Sequence, residues 1–193
     1  LLAGGNTPVE GPYASNVRRA VDYVLANANR NGLIGRMEEE QRPMYGHGFA
    51  MLFLAQAYGM ERDEFRRKRI KDVLQRAVVL TGQSQSPAGG WLYTPDAGSD
   101  EGSVTVTQIQ GLRAVRNAGI RVPRSIIDKA TNYIQKCANP DGGIRYMASQ
   151  PAGQGSLPAI TVAAVATMYN AGEYENPVAI KALEFTRRLM KKQ

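Results

Sequence analysis

The chain has 193 residues, with one Cys, one His, one Trp, 20 Gly, 10 Pro and a formal charge of +7. One Cys excludes a disulfide framework and a four-cysteine zinc site, and one His excludes a multi-histidine metal centre. No apolar run approaches the ~18 residues of a membrane-spanning helix, and a 43% hydrophobic share suits a globular domain with one core. Leu1 stands where an initiating Met would, and no leader is visible, which points to a chain trimmed from something longer. Basic residues gather at Arg66, Arg67, Lys68, Arg69, Lys71 and Arg76, and again at Arg187, Arg188, Lys191 and Lys192. These runs read as the solvated faces of two helices. A nucleic-acid surface is the alternative, disfavoured because Phe65 is the only aromatic beside the first run.

Residues 1–14 are an N-terminal extension. A repeat begins near Ser15. Arg19-Ala20-Val21-Asp22-Tyr23-Val24, Arg76-Ala77-Val78-Val79-Leu80, Lys129-Ala130-Thr131-Asn132-Tyr133-Ile134 and Lys181-Ala182-Leu183-Glu184-Phe185-Thr186 share one pattern: basic, Ala, two variable, large apolar. Gly32, Gly89 and Gly142 each follow the first three alanines by twelve positions, and the same count from Ala182 passes the last residue. The units run over about 15–60, 61–120, 121–174 and a partial 175–193.

Each unit reads as a helical hairpin. Its first helix is amphipathic, as Val17, Ala20, Val21 and Val24 or Ile126, Ile127, Ala130, Tyr133 and Ile134 illustrate. Pro123 with Ser125, and Pro177 with Asn176, suit the third and fourth starts. The glycine turn is expected to end this first helix. The second helix is apolar or uncharged nearly all round: Phe49 to Tyr58, Val104 to Val115 and Ile160 to Tyr169, with Arg113 the exception. Such helices are expected to be buried on most sides and to end at Gly59, Gly119 and Gly172. The expected fold is all-α, with outer half-wet helices alternating with inner ones through about three and a half hairpins. Long loops, Leu92 to Gly102 and Arg145 to Pro158, lead into the inner helices and are where function would sit.

Gln85-Ser86-Pro87-Ala88-Gly89-Gly90-Trp91 and the basic-small-x-x-aromatic hexads resemble the QW motif of the squalene oxidase/prenyltransferase repeat family. Gly89 is the central glycine of that motif. The resemblance covers about residue 15 to the end. It implies a partial α/α toroid, the architecture of squalene–hopene and oxidosqualene cyclases and of protein prenyltransferase beta subunits. It further implies structural roles for Gln85 and Trp91, the indole packing on the turn and the amide capping a neighbouring helix end. Ile34 and Ile144 stand where the other two turns would carry Trp.

The family's chemistry is harder to find. The Asp-x-Asp-Asp acid of class II terpene cyclases has its nearest counterpart in Asp96-Ala97-Gly98-Ser99-Asp100-Glu101, with different spacing. This loop reads either as a catalytic acid or as a cap on the inner helix at Gly102-Ser103. An Asp-Asp-x-x-Asp diphosphate site, an Asp-x-Cys zinc pair and a thioester motif are all missing from the sequence, and Cys137 reads as a packed thiol. His47, between Gly46 and Gly48, is expected to be accessible at the mouth of the first inner helix. It reads as a general base or ligand contact, or else as a loop histidine bonded to backbone. Ser103 and Ser156 stand at the other two mouths. Converging helix N-termini there would suit an anionic or polar ligand ringed by Tyr45, Trp91, Tyr93 and Tyr146.

The reading is a non-catalytic binding or scaffolding module of a larger bacterial protein. The alternative is a fragment of a terpenoid cyclase or prenyltransferase-type enzyme acting on isoprenoids. No metal or other cofactor is implied. The expected partner is a small ligand or a protein in the inner-helix cavity, with no membrane span, nucleic acid disfavoured, and a homodimer through exposed edge helices such as 177–190.

Overall fold

The computed structural model describes residues 1–153 and 155–191; Lys192 and the end of the expected repeat domain lie outside them. Among the described residues the fold is all-α, without strands. The helices are α1 (Ala14–Ala26), α2 (Pro43–Met60), α3 (Glu64–Gln83), α4 (Gly102–Asn117), α5 (Arg124–Lys136), α6 (Pro158–Ala171) and α7 (Pro177–Met190). A short 3-10 turn, Leu2–Gly4, lies in the extension. Isolated bridges Ala28–Ile34, Trp91–Glu101 and Ala138–Ile144 mark the three turns.

Contacts divide the chain into two compact units. The first holds Leu1–Gln83, Tyr93–Pro95 and Gly111–Val122; the second holds Ser84–Leu92, Asp96–Gln110 and Pro123–Gln193. In the first unit α2 packs on α3, and α1 packs on both. Val17, Val21 and Leu25, four residues apart, form the buried stripe of α1. The α3 stripe runs through Ile70, Val73, Leu74, Ala77 and Val78, while Arg67, Lys68, Arg69, Lys71 and Arg76 stay exposed. In the second unit α6 packs on α7 and α5 around Tyr133, Ile134, Ile144 and Met168.

Three sequence expectations need correction. The outer helices do not end at the turn glycines. They stop at Ala26, Gln83 and Lys136, six residues before Gly32, Gly89 and Gly142. The first inner helix starts at Pro43, in the favoured first-turn position, so Gly46, His47 and Gly48 lie inside it. Gly59 also lies inside α2, which ends at Met60 as Glu61 turns extended; Gly119 and Gly172 do take left-handed φ at their helix ends. Burial of the inner helices is uneven. In α4 every residue from Gly102 to Val115 is buried or half-buried, but α2 exposes Phe49 (53%) and α6 exposes Val162 (50%). No other described element covers those faces.

The turn glycines answer to a contact with the next outer helix. Each has φ between 90° and 108°. A Cβ on Gly32 would lie 2.4 Å from the Arg76 carbonyl oxygen; on Gly89, 2.2 Å from that of Lys129; on Gly142, 2.6 Å from that of Lys181. These three carbonyls belong to the basic residues that open the second, third and fourth hexads. The following alanines, Ala77, Ala130 and Ala182, are buried. In the first hexad Tyr23 is 66% exposed where Tyr133, its counterpart, is fully buried.

Gly89→Ala therefore combines left-handed strain with a clash against backbone and should cost roughly 2–5 kcal/mol. Gly119→Ala adds a methyl at φ +79° with nothing within 4 Å and should cost only about 1 kcal/mol. Urea unfolding of the two variants measures the difference.

Candidate functional site

The polar groups at the helix starts are joined to the turns by one recurring bond. The residue two places after each turn glycine donates its amide to a side chain near the start of the next inner helix. Ile34 N–H donates to His47 Nδ1 (3.1 Å), Trp91 N–H to Thr105 Oγ1 (3.0 Å) and Ile144 N–H to Thr161 Oγ1 (2.9 Å). The threonine hydroxyls donate onward within their own helix starts, to the carbonyls of Glu101 (2.7 Å) and Leu157 (2.8 Å). His47 is thus the counterpart of Thr105 and Thr161, whose shared role sequence reasoning missed. A lone polar residue on an otherwise apolar helix start was the available signal for Thr161, but not for Thr105, which has Ser103, Thr107 and Gln108 around it.

His47 is completely buried, which overturns the expected accessibility. The helix begins earlier than expected, so position 47 faces the core rather than the mouth. Its Nε2 lies 3.0 Å from Thr81 Oγ1 on α3, and that hydroxyl bonds the Ala77 carbonyl at 2.8 Å. Because Nδ1 accepts the Ile34 amide, the network assigns the proton of the neutral ring to Nε2. Burial lowers the imidazole pKa to about 4, against a smaller upward pull from the Ala77 carbonyl.

The other sequence candidates divide between the two units. In the first, Tyr45 and Tyr93 stack with centroids 6.0 Å apart, Arg42 lies 4.4 Å over Tyr93, and the Met44 amide donates to the Tyr93 carbonyl (3.0 Å). In the second, Glu101 is fully buried and caps α4. Its carboxylate accepts the amides of Ser103 (2.9 Å) and Val104 (2.6 Å) and the Ser103 hydroxyl (2.8 Å). Asp100, half-buried, accepts the Ser86 hydroxyl at 2.8 Å. Ser156 donates to Asp141 (2.8 Å) and accepts from Asn139 (3.0 Å), closing the third turn. The Tyr146 carbonyl accepts the Gly102 amide at 2.8 Å. Gln85 donates to the carbonyls of Gly89 and of Ile126 on α5, each at 2.9 Å. Trp91 is fully buried and so forms no rim for a ligand.

Cys137 is a buried free thiol just past α5, and burial pushes its pKa up to about 11. Among the described residues no three His, Cys, Asp or Glu side chains are grouped to hold a metal ion. No helix among them is long and apolar enough to cross a membrane. The site groups are thus bonded mainly to their own backbone and to one another. No family model and no curated protein matches the chain.

Two outcomes follow. Between about pH 4 and 6.5 the unfolded chain protonates His47 while the folded chain does not. Stability is then full above pH 6.5 and falls with acidification, by roughly 3 kcal/mol across the window. His47→Asn, which keeps an acceptor for Ile34, should flatten the slope between pH 6.5 and 5 in urea titrations. Glu101→Ala strips the α4 cap and should cost about 1–2 kcal/mol, with faster hydrogen exchange at Ser103 and Val104.

Proposed function

We propose that the chain is a repeat module of the squalene-cyclase and prenyltransferase type, built as part of an α/α toroid, which binds or scaffolds and does not catalyse. The observation that carries this reading is the use of its polar groups. His47, Thr105 and Thr161 each hold a turn to a helix, and Glu101 caps one. A general acid needs a proton-bearing group within reach of substrate. Here Glu101 is fully buried with both oxygens accepting hydrogen bonds, Asp100 beside it accepts the Ser86 hydroxyl, and the one imidazole is sealed in the core. The threefold seat of glycine on the next hexad's basic residue supports the repeat assignment, since it gives one reason for both halves of the pattern. The partner is a protein or small ligand.

The chain incubated with squalene and with farnesyl diphosphate should return both unchanged by mass spectrometry. Any cyclised, hydrolysed or transferred product that Glu101→Gln abolishes would assign the module to the enzymes instead.

A further inference from the structure

We propose that the first turn carries a binding site for a guanidinium group, filled by an arginine side chain from outside the chain. The argument comes from comparing the first and third turns. Residues 26–40 and 136–150 align without a gap on Gly32 and Gly142, with Ala28/Ala138, Asn29/Asn139, Ile34/Ile144 and Met37/Met147 identical. Their backbones match as well. Asn29 N–H donates to the Leu33 carbonyl as Asn139 N–H does to Gly143, and Gly35 N–H donates to Asn27 as Arg145 N–H does to Cys137.

One of the positions at which the two turns differ decides how the helix-end carbonyls are covered. The third turn carries Arg145, which is only 5% exposed. Its guanidinium donates to the carbonyls of Lys136, at the end of α5, of Cys137 (3.4 Å) and of Gln150 in the loop. The end of a helix presents unsatisfied carbonyls and a partial negative charge, and a planar guanidinium fork suits them. The first turn has Gly35 in that place. A concavity of about 550 Å³ lies there, lined among others by Ala26, Asn27, Gly35, Arg36, Glu38 and Glu39. Among the described residues no backbone amide outside the helices donates to the Ala26 carbonyl, the counterpart of Lys136. Arg36 does not take the role of Arg145. Its Nε donates to the Asn27 side chain (2.6 Å) and its Nη1 to Glu39 (2.8 Å). Glu38, which also lines the concavity, supplies a carboxylate where the third turn has Ala148.

This site holds whether or not the module reading does. It names an arginine-bearing ligand as the occupant. The test is a titration of the isotope-labelled full chain with the capped peptide acetyl-Gly-Arg-Gly-amide, followed by amide shifts. Saturable shifts at Asn27, Gly35 and Met37 are expected. The citrulline peptide, isosteric but neutral, should bind at least tenfold more weakly, and so should the lysine peptide, which lacks the fork. Glu38→Gln, an exposed change, should weaken the arginine peptide several-fold. Free arginine binding more tightly than the peptide would identify an amino acid as the source; the reverse would identify a protein. Equal shifts from the citrulline peptide, or none from the arginine peptide at millimolar concentration, would overturn the proposal.

Discussion

A glycine with no side chain lies against the backbone carbonyl of the next outer helix, and the rest of the repeat is arranged around that contact. The approach is so close that a methyl group at Gly89 would sit 2.2 Å from the Lys129 oxygen. This also explains the hexad it rests on. The residue after the basic one, Ala77, Ala130 or Ala182, is buried. The basic residue lends its carbonyl to the contact and turns its charge to solvent, which a long aliphatic stem permits. The hexad and the glycine are two sides of one interface between successive units.

A turn pressed against a helix buries backbone groups that need partners. In each turn one amide, of Ile34, Trp91 or Ile144, finds its acceptor on a side chain of the following inner helix. Threonine serves twice because its hydroxyl can accept the amide while donating to a carbonyl of its own helix start. Histidine serves once because its ring spans from the turn to Thr81 on α3. The difference has a thermodynamic consequence: threonine does not titrate, whereas a buried imidazole ties one part of the fold to its own neutrality.

The candidate site was legible in part. Glu101 next to Gly102 and Ser103 could be read as a helix cap from residue type and order alone, because capping is local. His47 could not be placed in the same way. Its two flanking glycines resemble a loop, and only the start of α2 at Pro43 decides that it lies inside a helix and faces inward. Trp91 looked available beside Tyr93, yet the bridge to Glu101 and the bond to Thr105 draw it into the core. Arg145 carried no signal at all, since a buried arginine is told from an exposed one only by the carbonyls gathered around it.

Helix content, the order of helices, the amphipathic stripe of α1 and the periodic punctuation were set by the sequence itself. Each depends on residue type at short separation, through side-chain spacing, proline starts and left-handed glycine. The reason for the punctuation came only from tertiary structure. That Gly32, Gly89 and Gly142 lie against a neighbouring helix about forty residues away, and do not end the helix they follow, is a matter of contact between successive repeats. Tertiary structure alone also sealed His47 in the core, left Phe49 and Val162 exposed, and filled one turn with Arg145 while leaving its counterpart at Gly35 open. Burial is a property of what lies opposite a side chain, and a linear sequence does not carry that.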